Sequence, residues 1–352
     1  MRKIRVLIVD DMAMVREILS AGLSMDPMIE VVGCAPDPYV ASQKIIELKP
    51  DVLTLDVEMP RMDGVEFLKK LMPQHPLPVV MVSSLTERGK KITFDALQSG
   101  AVDFIAKPST DVARGLNGML LELRTKVKIA SIANVSHWKH KRSNEPVQAS
   151  RPLEKHALDE STDKLVAIGA STGGTEAIRE VITRFPAAMP GVVIVQHMPA
   201  GFTKMFSERL NSLCQMEVKE AEEGDRVRRG LVLIAPGGKQ MALYRSGGTY
   251  CVSVKGGAPV NGHCPSVEVL MKSVAEYAGK NAVGIMLTGM GGDGADGLKA
   301  MRDAGARTMA QDEASCVVFG MPKVAWEKGG AERLVPLDKI AEESISLLGG
   351  TK

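Results

Sequence analysis

The chain has 352 residues, and at roughly 150 residues per domain that length predicts two domains. Hydrophobic residues at 45% exclude a disordered or collagen-like chain, and 44 basic against 42 acidic side chains (net +2) exclude a nucleic-acid coat or a polyacidic tail. Aromatics at 4% argue against a base-stacking surface. From residue 4 to about 125, short β-branched runs alternate with helical periods. Strands are predicted at 4–9, 29–32, 52–55, 78–82 and 104–106, with amphipathic helices such as 15–25 and 65–72 between them. Short, wholly apolar strands separated by helices specify a parallel sheet covered on both faces.

Three carboxylates fall at the ends of these strands: Asp10 and Asp11 after the first and Asp56 after the third. In an open parallel sheet the carboxyl ends face one crevice. Like charges held together there need a divalent cation or an ammonium to offset them. Oxygen ligands of this kind suit Mg²⁺, and a carboxylate beside it can act as nucleophile toward a phosphoryl group. Ser83 ends the fourth strand and Lys107, followed by Pro108, ends the fifth, a hydroxyl and a cation placed to hold the transferred oxygens.

These residues resemble the response-regulator receiver family over the whole first domain, through V-L-I-V-D-D (6–11), L-D-V-E-M-P-R-M-D-G (55–64), M-V-S-S (81–84) and F-I-A-K-P (104–108). The resemblance implies a flavodoxin-like sheet phosphorylated at Asp56. It also implies that Asp10, Asp11 and the Glu58 carbonyl join Asp56 around Mg²⁺, with Ser83 and Lys107 on the phosphoryl oxygens. Phe104 sits where many members carry a Tyr that changes rotamer on activation.

Residues 131–164 are polar and carry the basic cluster Lys139 to Arg142. They predict a solvated linker, giving domains at 1–125 and 164–352 with 126–163 between. From residue 165 the alternation resumes, with strands at 165–169, 192–195, 231–234, 250–254, 283–288 and 308–310 and helices such as 175–185 and 266–278. A second doubly wound, mostly parallel α/β domain is expected.

Its first strand runs into G-A-S-T-G-G (169–174). Ser171 then stands on a sharp strand-to-helix turn, exposed and close to helix N–H groups that can receive an oxyanion. A hydroxyl nucleophile needs a base, and only His197 and His263 of the six histidines follow it. His197 comes directly after a strand, in V-Q-H-M-P. The carboxylate that should orient the imidazole is Asp293, in T-G-M-G-G-D-G after the strand at 283–288. The order of an α/β-hydrolase would instead join Ser171, Asp225 and His263, but Asp225 lies in the charged segment 220–229. Cys264 beside His263 is a third arrangement. Strand-end context favours Ser171, His197 and Asp293, with Thr172 N–H as an oxyanion donor.

G-A-S-T-G-G, Q-H-M-P (196–199), L-I-A-P-G (233–237) and T-G-M-G-x-D-G (288–294) resemble the catalytic domain of the chemotaxis protein-glutamate methylesterases, the CheB family. The receiver–linker–esterase order is similar too. The resemblance implies hydrolysis of γ-glutamyl methyl esters on chemoreceptors, with release of methanol and deamidation of receptor glutamines. It implies the triad Ser171, His197 and Asp293, with Met290 N–H as an oxyanion donor and no cofactor for the ester step. It further implies phosphorylation by the chemotaxis histidine kinase and an unphosphorylated receiver that obstructs the active site. A response regulator with a binding output domain is the alternative reading.

The five cysteines (Cys34, Cys214, Cys251, Cys264, Cys316) are scattered and form no C-x-x-C, which predicts a reducing compartment. The apolar run 6–9 is too short for a signal-peptide core, and 185–203 is broken by prolines and polar residues. A cytoplasmic protein that neither enters membranes nor binds nucleic acid is expected.

Overall fold

In this computed structural model, which describes residues 2–83, 86–107, 112–139 and 163–349, the first apolar runs form a parallel sheet. Its strands are β1 (Ile4–Val9), β2 (Ile29–Ala35), β3 (Val52–Asp56), β4 (Val79–Ser83) and β5 (Asp103–Ala106), in the order β2-β1-β3-β4-β5. This is the flavodoxin-like order expected. Strands β3 and β4 are buried at every residue, so both faces are covered, by α1 (Ala13–Ser24), α2 (Pro38–Leu48), α3 (Gly64–Gln74), α4 (Glu87–Gln98) and α5 (Val112–Ala130). Side-chain caps fix three helix starts: Asp37 accepts from Tyr39 and Val40 N–H, Asp63 from Glu66 N–H and Thr86 from Gly89 N–H.

The chain divides into two units, Met1–Pro146 and Val147–Lys352. Residues 126–139 of the expected 126–163 linker fall within the first of these units. Val127, Ala130 and Val135 are buried there, and the Trp138 ring lies against Gly100, where an added Cβ would stand 3.1 Å from Trp138 Cδ2. The remainder of the expected linker, with residues 140–142 of the basic cluster, lies outside the described residues, as do Ser84 and Pro108.

In the second unit the strands are β6 (Leu165–Ala170), β7 (Gly191–Gln196), β8 (Glu217–Glu220), β9 (Leu231–Ile234), β10 (Gln240–Ser246), β11 (Thr249–Lys255), β12 (Ala282–Met286), β13 (Arg307–Gln311) and β14 (Arg333–Val335). Seven form a wholly parallel sheet in the order β14-β13-β12-β6-β7-β9-β8. Strands β10 and β11 make a separate antiparallel ribbon. The helices are α6 (Gly174–Ile182), α7 (Phe202–Asn211), α8 (Val267–Tyr277), α9 (Ala295–Asp303), α10 (Met321–Glu327) and α11 (Leu337–Gly349). Helices α6 and α11 pack together, as do α8 and α9. Phe185 and Phe202 are fully buried, and truncating such a side chain to Ala costs about 3–5 kcal/mol.

Strands β8 and β14, a polar edge strand and a three-residue edge, carry no apolar run to signal them, whereas β10 carries the run Met241-Ala242-Leu243-Tyr244 that the predicted strands do not include. Both sheets reverse direction beside their first strand. β1 lies between β2 and β3, and β6 between β7 and β12. The crevice at the carboxyl ends of such strands is where ligands bind in open α/β sheets. Among the described residues no helix is long and apolar enough to cross a membrane.

Candidate active site

Ser171 is the first residue past the wholly buried strand β6. Its N–H donates to the Thr288 carbonyl at 3.0 Å, and its own carbonyl accepts from Gly174 N–H at 2.7 Å and Gln196 Nε2 at 2.9 Å. The turn into α6 needs glycine at 173, where φ is +77° and a Cβ would stand 2.6 Å from Val317 Cβ. The Ser171 backbone is thereby held on both sides.

His197 follows β7 by one residue, and its N–H donates to the Ala170 carbonyl at 3.1 Å. The β6–β7 ladder thus carries the ring to the hydroxyl. Nδ1 lies 3.2 Å from Ser171 Oγ, and Nε2 lies 2.8 Å from Asp293 Oδ2. The three side chains form one hydrogen-bonded row at the point where β6, β7 and β12 end side by side.

Asp293 comes from the turn between β12 and α9 and docks on the N-terminus of α8. Val267 N–H donates to Oδ2 at 2.7 Å, while Ser266 Oγ and Asn261 Nδ2 donate to Oδ1 at 2.8 and 3.0 Å. Burial alone would raise this carboxyl, but the bonds from His197, Asn261 and Ser266 outweigh it and hold the pKa down at about 2. An ionised acceptor facing Nε2 makes Nε2 the protonated nitrogen and leaves Nδ1 as the acceptor for a hydroxyl. A row of this kind can move a proton off Ser171 and return it to a leaving group.

Of the two oxyanion candidates, Thr172 is buried and Met290 is half-exposed. Met290 follows Gly289, where a Cβ would stand 2.7 Å from Ser171 Cβ. That close approach sets the residue before Met290 against Ser171.

In the first unit the Asp10, Asp11 and Asp56 carboxylates offer oxygens within 4.8 Å of one another. Asp10 and Asp56 are buried and Asp11 is exposed. Lys107 Nζ reaches both buried acids at 3.0 Å, and Val57 N–H donates to Asp56 at 2.8 Å. Burial pushes the Asp56 carboxyl up to about 6, against the pull of Lys107 and with the help of Asp10. Among the described residues Lys107 is the cation paired with these carboxylates, and the donors are hard oxygens, so a small divalent cation fits. Glu58 is exposed two residues beyond Asp56. Ser83 is buried, its hydroxyl 2.6 Å from Thr93 Oγ1 on α4. Phe104 is buried, with Lys126 Nζ 5.2 Å from its ring centre.

The sequence model of the CheB methylesterase family matches residues 166–344, and that of the response regulator receiver domain matches 6–114. A protein-glutamate methylesterase/protein-glutamine glutaminase of Syntrophotalea carbinolica is 67% identical over 347 residues, covering 99% of this chain and 98% of that protein. The chain belongs to the CheB methylesterase family. A similarly named protein of Sulfurimonas denitrificans is 52% identical over 350 residues and covers 99% of both. The crystal structure of the Thermotoga maritima CheB methylesterase catalytic domain matches 53% of this chain and 98% of its own, with 38% identity and a TM-score of 0.51. A receiver joined to a CheB hydrolase domain sets aside the binding-output reading.

Asp225, the acid of the rival triad, accepts from Glu222 N–H and pairs with Lys219. His263, its supposed base, stacks on His197 instead, with ring centroids 3.6 Å apart and planes 10° from parallel. Cys264 points its thiol toward the Gly257 carbonyl at 3.8 Å. Asn261 and, as a stacked ring rather than a base, His263 come to the site from a loop, and Ser266 and the Val267 N–H from a helix start, positions that strand ends do not reveal. A signal for the first two was present: Val260-Asn261-Gly262-His263 contains the Asn-Gly pair of a two-residue hairpin.

Proposed function

We propose that Ser171, His197 and Asp293 hydrolyse glutamate γ-methyl esters on chemoreceptors, releasing methanol, and that the same residues deamidate receptor glutamines. The hydrogen-bonded row from Ser171 Oγ through both His197 nitrogens to Asp293 carries this reading. His197 Nδ1 takes the hydroxyl proton as Ser171 Oγ attacks the γ-carbonyl carbon. The tetrahedral oxyanion lies toward the N–H groups of Thr172 and Met290, each such donor being worth about 3 kcal/mol in the transition state. The proton on Nδ1 passes to the methoxy oxygen and methanol leaves. Water, deprotonated by the same nitrogen, attacks the acyl-serine; the Oγ–acyl bond breaks, the proton on Nδ1 returns to Ser171 Oγ, and the glutamate carboxylate is freed. With a glutamine substrate the leaving group is ammonia.

The receiver controls this step through phosphorylation of Asp56 by the chemotaxis histidine kinase. Asp10, Asp11, Asp56 and the Glu58 carbonyl would hold Mg²⁺, which offsets the carboxylate charge and orients a phosphoryl oxygen. Lys107 and Ser83 take the other phosphoryl oxygens. Phosphorylation activates only if it favours a conformation with higher esterase activity. We place the domain boundary within 140–163 and the protein in the cytoplasm, where a histidine kinase and the methylated receptor segments are accessible. A serine-directed fluorophosphonate tests the nucleophile: it labels wild type at Ser171 and leaves Ser171→Ala unlabelled. Equal labelling of both would reject the assignment.

A further inference from the structure

Asn261 and His263 flank Gly262 in a four-residue turn closed by reciprocal backbone hydrogen bonds, Val260 N–H to the His263 carbonyl and His263 N–H to the Val260 carbonyl, both 2.9 Å. Both central residues are left-handed, Asn261 at φ +52° and Gly262 at φ +83°, the type I′ pattern that an Asn-Gly pair adopts at least cost. The turn is stapled to the ribbon. Gln240 on β10 donates to the Ala258 and His263 carbonyls at 3.2 and 3.1 Å and accepts from Ser266 N–H at 2.8 Å.

From this rigid base two side chains reach the proton relay. The Asn261 amide donates to Asp293 Oδ1 at 3.0 Å, although Asn261 itself is solvent-exposed. The His263 ring lies flat on His197. We propose that the Val260–His263 turn is a clamp on the relay, with Asn261 and His263 as positioning residues that hold Asp293 and His197 in register with Ser171. The inference rests on the triad reading above.

The physical reason is directional. A ring 3.6 Å away and parallel blocks rotation of His197 out of its plane, and only in that plane do Nδ1 and Nε2 reach their partners together. The Asn261 bond pins the oxygen of Asp293 that does not face His197, so the carboxylate cannot turn away. The groups facing His263 are His197 and Asp293. Burial first, then the neighbouring His197, push the His263 ring down to about 4. Above that pH it stays neutral and does not compete for the proton that His197 takes, and its face can receive an imidazolium.

The test measures methanol release from methylated receptor membranes by the full chain, with kcat, KM and the pH profile for each variant. His263→Ala loses about 30-fold in kcat, with KM within about twofold and the acid limb displaced. His263→Phe, which keeps an aromatic face, recovers to within about threefold of wild type and restores the limb. Asn261→Gly, which keeps the left-handed backbone, loses about 5- to 10-fold in kcat and decides the matter should His263→Ala not fold. Wild-type kcat and pH profile in both His263→Ala and Asn261→Gly would overturn the clamp, as would His263→Phe being as slow as His263→Ala. Ser171→Ala separates the two claims. If it releases methanol like wild type, the triad falls and the clamp with it. If it is inactive while the clamp variants are unaffected, the clamp alone falls.

Discussion

His197 meets Ser171 through Nδ1, at 3.2 Å, and so leaves Nε2 to Asp293 at 2.8 Å. The nitrogen left facing the hydroxyl is therefore selected from the far side of the ring, by a carboxylate seated on the N-terminus of α8. A helix start that gathers the Ser266 hydroxyl and the Val267 N–H on one carboxylate keeps it ionised.

Asp293→Asn should remove that selection. An amide can offer N–H to Nε2 and draw the ring proton to Nδ1, where it faces the hydroxyl uselessly. The expected loss in kcat is roughly 10³- to 10⁴-fold with little change in KM, read by steady-state methanol release. A loss under tenfold would show that the carboxylate does not set the tautomer.

The same residue makes a stability prediction. Asp293 lies at about 2 in the folded chain against an ordinary 3.8. A carboxyl lowered by folding stabilises above its unfolded pKa, and the contribution is lost as pH falls through the folded one. Asp293→Asn should cost about 2 kcal/mol at pH 7, and the gap to wild type should close between about pH 4 and 2. Urea unfolding of both proteins across that range checks it.

Asp56 carries the opposite sign. Its folded pKa is raised to about 6 from 3.8, so between those values the folded state binds more protons and stability falls as pH rises. Asp56→Asn should therefore stabilise the receiver by up to about 3 kcal/mol above pH 6, with no difference below about pH 4. Mg²⁺ should raise the melting temperature of wild type more than that of Asp56→Asn. Calorimetry with and without Mg²⁺ reads both effects.

Gly289→Ala probes packing at Ser171. The added methyl would lie 2.7 Å from Ser171 Cβ and 2.4 Å from Met321 Sδ. The methionine can swing aside, but Ser171 cannot move without leaving His197. A fall of about 100-fold in kcat is expected, with an unchanged circular dichroism spectrum. Activity within threefold of wild type would show that the turn gives way instead.

Much of this was legible in the sequence because both sites hang on strand ends. Asp10, Asp56, Ser171 and His197 each follow a short apolar run, and such runs fix where a parallel strand stops. The environment of each residue was less legible. Nothing in the spacing of residues 197 and 263 announces two stacked rings, since ring-on-ring contact has no sequence period. The seat of Asp293 depends on where α8 begins relative to a loop 26 residues away in the chain. The linker bounds were set by composition, which cannot show that Val127, Ala130 and Val135 are buried within the first unit.

The most direct measurement is methanol released from methylated receptor membranes by wild type and Ser171→Ala, each with and without a small phosphodonor. Wild type should release methanol and accelerate with the phosphodonor, and Ser171→Ala should stay at the uncatalysed rate in both conditions. Release by Ser171→Ala at the wild-type rate would contradict the triad.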